Sequence, residues 1–170
     1  MRNILIIDTS ILCVWLKVPG KETCGPQDDI WDKTRVDKTL KKEEELGTLF
    51  VLPLAVIIET GNHIAQSQNA WECAKALCEI IRNTLDEQSP WAKFSQQDIL
   101  WGQEHLRKLS NEWPVYAKAG LSIGDMTIKT VAEYYAESSY VVNILTGDKG
   151  LKSHEPAAEL PRPRRYAKKS

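Results

Sequence analysis

Four carboxylates in this 170-residue chain sit where a fold could use them together. "ILIID" (4–8) carries Asp8 off the end of an aliphatic run, and "ILTGD" (144–148) places Asp148 just past another. Glu59 closes "PLAVIIE" (53–59), which follows the apolar stretch "TLFVLP" (48–53), and Asp125 opens a helical pattern in "SIGD" (122–125). In open α/β sheets ligands bind beyond the carboxyl ends of the strands, so these acids from four distant segments can converge on one rim. Such a cluster repels itself, by ~1 kcal/mol per pair about 4 Å apart in water and ~4 kcal/mol at an effective dielectric near 20, and therefore calls for a cation. Hard oxygen ligands without imidazole or thiolate select Mg²⁺ or Mn²⁺ over zinc. An ion so held can polarise a phosphoryl oxygen, lower the pKa of bound water and stabilise a leaving oxygen.

Each acid also has a purely structural use. Asp8 can cap a helix beginning at Ser10. Asp125 stands three residues after Ser122, as in a capping box, with Lys129 as its i+4 partner. Asp148 belongs to the turn-forming "GDKG" (147–150), and Glu59 can be solvated on the polar stripe of its helix. Around the acids lie bases. Lys149 and Lys152 follow Asp148, Lys129 lies one turn beyond Asp125, and "RPRRYAKK" (162–169) carries five positive charges about a tyrosine. Basic residues interleaved with an aromatic can grip single-stranded nucleic acid; a solubilising tail has the same composition. His63 is read as a helix-surface residue rather than a base.

The elements that must position these groups alternate. An aliphatic strand (4–7), buried on both faces, leads into a short helix ending near Pro19 and Gly20, then a Pro-, Gly- and Asp-bearing loop. Residues 32–46 predict an exposed helix striped by Val36, Leu40 and Leu46 and stopped at Gly47. A second strand (48–53) precedes a helix (53–66), with Leu54, Ile57, Ile58, Gly61, Ile64 and Ala65 assigned to its apolar face. A third long helix covers 69–86, its stripe being Trp71, Ala74, Leu77, Cys78, Ile81 and Leu85. "PWAKFS" (90–95) reads as a short strand, 96–113 and 121–138 as two more helices, and "YVVNILT" (140–146) as a β-branched strand. The expectation is an α/β fold, a three-layer α/β/α sandwich on a mainly parallel sheet. Residues 1–153 form the domain, and a Pro-rich basic tail, 154–170, supplies at most a weak edge strand.

Composition agrees with one soluble domain: 42% hydrophobic, 26% charged, a size of 19.3 kDa and a formal net charge of −1, which gives no whole-protein attraction to nucleic acid or anionic membrane. No apolar run approaches the roughly 18 residues of a membrane span. The N-terminus lacks the pattern of a signal peptide. Cys13, Cys24, Cys73 and Cys78 form no CxxC pair, so reduced thiols and a cytoplasmic location are expected.

In order and local sequence, "IIDTS", "PLAVIIE", "SIGDMTIKTVAEYYA" and "LTGD" resemble the PIN domain family of nucleases, over roughly residues 3 to 152. The resemblance implies a PIN-like sandwich with Asp8, Glu59, Asp125 and Asp148 as the metal-binding and catalytic acids and Ser10 and Thr146 as hydrogen-bonding supports. It further implies a divalent-metal-dependent endoribonuclease leaving 5′-phosphate and 3′-hydroxyl ends. Lys129, Lys149 and Lys152 would meet the RNA. The toxin ribonucleases of the family add an antitoxin-like inhibitor protein and a homodimer as partners to look for. The segment 18–47 is longer and more charged than in those compact toxins, and their final strand has no evident counterpart among the C-terminal prolines. A structure-specific DNA nuclease of the same architecture and a non-catalytic binding module share the motif order. A dinucleotide-binding domain does not, since no G-x-G-x-x-G follows the first strand. Nor does a phosphate-receiving signalling domain fit: Asp28 and Asp29 lie too far into a loop to give the second acid pair it needs.

Overall fold

The computed structural model describes residues 2–158. Its centre is strand β1 (Asn3–Ile7). Ile4, Leu5, Ile6 and Ile7 are each no more than 4% exposed; since neighbouring side chains of a strand point to opposite faces, both faces of the sheet are covered. β1 pairs in parallel with β4 (Leu49–Val51) on one side and β5 (Val141–Leu145) on the other, giving the order β4-β1-β5. The fold is therefore α/β on a three-stranded parallel sheet. A central first strand with later strands on both sides makes a switch point, at which the loops leaving the strand ends open a crevice.

Helix α1 (Thr9–Trp15) follows β1 directly and buries Ile11, Leu12, Cys13 and Val14. The loop after it holds a two-residue antiparallel hairpin, β2 (Thr23–Cys24) with β3 (Trp31–Asp32), where only a loop was expected. α2 (Lys33–Glu45) is capped by Asp32, whose carboxylate accepts from the Arg35 amide at 2.8 Å, and buries only Val36 and Leu40. It stops at Gly47, whose φ of 72° supplies the left-handed turn that ends helices.

α3 (Leu54–Ala65) begins after Pro53, but its inward face differs from the expected one. Ala55, Val56, Thr60 and Ile64 are buried, whereas Ile58 is 54% exposed. α4 (Ala70–Leu85) is shifted likewise: Cys73, Leu77, Ile80 and Thr84 face inward, and Trp71 is 72% exposed. Each inward face also carries a threonine, Thr60 or Thr84, that hydropathy counts as polar. Thr84 satisfies its hydroxyl by donating to the Ile80 carbonyl at 2.9 Å.

Residues 90–95 make no strand; Trp91 meets Phe50 in a single parallel bridge. The helix expected over 96–113 is two elements, a 3₁₀ segment (Phe94–Trp101) and α5 (Gln103–Lys118), separated by Gly102 in extended conformation. α6 (Ile123–Glu137) lies against β5, and after β5 the chain turns into the four-residue α7 (Lys149–Lys152). Residues 153–158 carry no strand, and the rest of the expected tail, including the basic run 162–169, lies outside the described residues. Among the described residues no helix is long and apolar enough to cross a membrane. Cys13, Cys24, Cys73 and Cys78 are free thiols.

Candidate metal centre

The site is built from four chain ends. Asp8 ends β1: its amide donates to the Leu145 carbonyl at 3.0 Å, extending the β1–β5 ladder, while its side chain caps α1. Oδ2 accepts from the Ser10 hydroxyl at 2.7 Å, the Thr146 hydroxyl at 2.8 Å and the Ser10 amide at 3.4 Å. Oδ1 has no partner among the described residues. Burial pushes the Asp8 carboxyl above its ordinary pKa; the bonds from Ser10, Thr146 and the Thr9 backbone pull back, and the charge of Asp125 pushes further.

Asp148 reaches the site through Thr146, whose oxygen donates to Asp8 and accepts from the Asp148 amide at 2.9 Å. The Gly147 amide donates to the Ser10 hydroxyl at 3.1 Å, so the loop after β5 is tied twice to the start of α1. Asp148 itself caps α7, its Oδ1 accepting from the Gly150 and Leu151 amides at 2.6 and 3.3 Å. Glu59 comes from α3 and takes the Thr9 hydroxyl at 2.9 Å on Oε2. Its Oε1 lies against Gly124 so closely that a Cβ there would sit 2.1 Å away, which is why the first turn of α6 carries a glycine. Asp125, the next residue, completes a capping box with Ser122: Oδ2 accepts from the Ser122 hydroxyl at 2.7 Å and its amide at 3.2 Å.

Capping and clustering are thus compatible. Each acid spends one oxygen on hydrogen bonds, local ones at Asp125 and Asp148, and leaves the other, Asp8 Oδ1, Glu59 Oε1, Asp125 Oδ1 and Asp148 Oδ2, without a partner among the described residues. All four line one cleft of about 380 Å³, together with Thr9, Ser10, Lys21 and His63. The β2–β3 hairpin walls it, pressed onto the loop after β5: a Cβ on Gly147 would meet the Gly25 amide at 2.7 Å and Cys24 Sγ at 2.8 Å. Cys13 and Cys24 also face the cleft, and burial raises both thiols, Cys13 to about 11, which keeps them protonated.

The donor set suits a hard divalent ion: all oxygen, excess negative charge, free lone pairs. Among the described residues no three Asp, Glu, His or Cys side chains close around a single point. An ion here would therefore rest on one or two carboxylates and keep waters, the usual manner of Mg²⁺.

The lysines are placed differently from expectation. Lys129 does not pair with Asp125; its ammonium pairs with Glu133 and lies 5.3 Å from the centroid of the Tyr116 ring, its side chain 12% exposed. Lys152 donates to the Ile144 carbonyl at 2.9 Å and to Glu155 at 2.5 Å. Lys149 meets Asp28 at 3.0 Å in an exposed pair. None of the three lines the acid cleft, whereas Lys21 does. Lys21, Thr9 and the cleft-facing His63 were not singled out as site residues in the sequence. "DTS" carries one signal, the Thr9 hydroxyl next to Asp8. No family model matches the chain, and no curated protein or solved structure matches it significantly.

Proposed function

We propose that the protein is a divalent-metal-dependent nuclease on a PIN-like sandwich, hydrolysing phosphodiester bonds of single-stranded RNA. The observation that carries this is the meeting of Asp8, Glu59, Asp125 and Asp148 in one cleft, each with a free oxygen. Carboxylates gathered around a buried one are costly, and nothing in the capping of three separate helices by Asp8, Asp125 and Asp148 requires those acids to share a cleft with Glu59.

Asp8 and Asp125 would hold the ion directly, Asp148 would bind a second or orient water, and Glu59 would act through water. The chemistry such an ion supplies is polarisation of a phosphoryl oxygen and a lowered pKa for bound water. Ser10 and Thr146 hold Oδ2 of Asp8, which fixes the carboxylate and would leave Oδ1 for an ion. Lys21 brings the ammonium that a phosphate entering an acidic cleft needs. Lys149 can exchange Asp28 for a backbone phosphate at small cost, because exposed ion pairs contribute only about 0–1 kcal/mol.

End-labelled RNA and DNA incubated with the protein in Mg²⁺, Mn²⁺ or EDTA test the proposal. RNA cleaved only with metal is expected. Cleavage of branched or flap DNA alone assigns a DNA nuclease instead, and no cleavage of either sinks the catalytic reading.

A further inference from the structure

A second cavity, of about 450 Å³, opens on the far side of Asp125 and Asp148, which line both it and the acid cleft. Its volume lies within the roughly 300–1,000 Å³ of small-molecule sites. The walls are Tyr116 from α5, Leu121 from the α5–α6 turn, Leu151 from α7 and His154 just beyond. Tyr116 and His154 stand edge to face, ring centroids 5.8 Å apart at 72°. The frame is fixed from behind. Leu121 donates its amide to the Tyr116 carbonyl at 3.1 Å and receives the Trp113 indole N–H at 3.1 Å, and Lys129 is seated by the Tyr116 ring. None of these groups is used by the proposed hydrolysis.

Resting on that hydrolysis at the acid cleft, we infer that this cavity is a base-binding subsite, which takes the nucleobase next to the scissile phosphate against Tyr116 and His154. A strand whose phosphate sits between the two cavities, at Asp125 and Asp148, can place an adjoining base here. Aromatic walls over a leucine floor recognise any base by its flat face, so the subsite positions the strand without reading sequence. Such a subsite favours single strands, because a paired base must first pay a few kcal/mol to leave its stack.

The test uses the full-length protein and a short labelled single strand carrying one abasic position, moved along the strand, with kcat/KM read in Mg²⁺. For the wild type, one position beside the cut bond should lower kcat/KM by about 5- to 150-fold when abasic, the range of one base–aromatic stack. Tyr116→Ala should cost the same on the intact strand and be insensitive to that abasic position; Tyr116→Phe should behave as wild type, which separates loss of the ring from loss of fold. His154→Ala gives a second, surface-side probe and should blunt the same position. Wild-type cleavage with an abasic profile that Tyr116→Ala leaves unchanged overturns the subsite and leaves the nuclease standing. No cleavage by the wild type overturns both.

Discussion

Thr146→Val is the sharpest perturbation of the site that keeps its shape. Thr146 is 8% exposed, and its hydroxyl both donates to Asp8 Oδ2 at 2.8 Å and accepts from the Asp148 amide at 2.9 Å. A hydrogen bond to a charged group is worth about 1.5–3 kcal/mol, and an orphaned amide costs about 1–3 kcal/mol, less where water can reach it. Asp148 is exposed, so its amide belongs at the low end, and the expected loss is about 2–4 kcal/mol near pH 7. For a chain of this length, that lowers Tm by about 4–16 °C. The pH dependence has a definite sign. Burial already holds the folded pKa of Asp8 above its unfolded value, so ionised Asp8 weighs against folding at neutral pH and the burden lifts as pH falls through the folded pKa. Removing a bond that lowers this pKa raises it further. The stability gap between wild type and Thr146→Val should therefore be widest above the folded pKa of Asp8 and narrow as pH falls through it toward about 3.9, the unperturbed aspartate value, leaving the amide's share. Urea unfolding across that range measures it. A gap below about 1 kcal/mol, or one independent of pH, would refute the assignment of Thr146 as the strut between two acids.

Asp8→Asn and Asp125→Asn should each cut metal-dependent cleavage by more than the roughly 10–100-fold that outer-shell changes cost, with circular dichroism unchanged. Mg²⁺ at about 100 times its dissociation constant should add about 2.7 kcal/mol of stability, or about 5–11 °C in Tm, at matched ionic strength. Asp8→Asn should shrink that response while stabilising the metal-free protein at neutral pH. Gly124→Ala should separate stability from activity: alanine favours the helix by about 1 kcal/mol, but its Cβ must push the Glu59 carboxylate aside, so cleavage falls while Tm holds or rises.

What the sequence made legible was the part carried by unbroken apolar runs. β1 and β5 are aliphatic, and their ends locate Asp8 and Asp148 without further information. The capping box of Ser122 and Asp125 is local and equally plain. Glu59 is harder. Its partner Thr9 lies 50 residues away, and the face of α3 that turns inward includes Thr60, a buried residue that hydropathy places outside. The inward face of α4 likewise includes Thr84. Gly102 broke a helix that looked continuous because apolar residues on both sides keep helical spacing. Asp125 and Glu133 are equally four residues from Lys129, and only the fold shows that the ammonium turns to Glu133.

The threading of the sheet sets when the cleft can exist. β1 is made first, yet its second neighbour, β5, is nearly the last element of the described chain, and the bond between Thr146 and Asp8 spans 138 residues. Pairings so distant in sequence form late, because loop closure must precede any gain from contact. During synthesis the chain therefore carries Asp8 and Glu59 for much of its length with one edge of β1 bare and no Asp148 to complete the rim. For the proposed nuclease, topology thus delays the acid cleft until β5 has been made and has paired with β1.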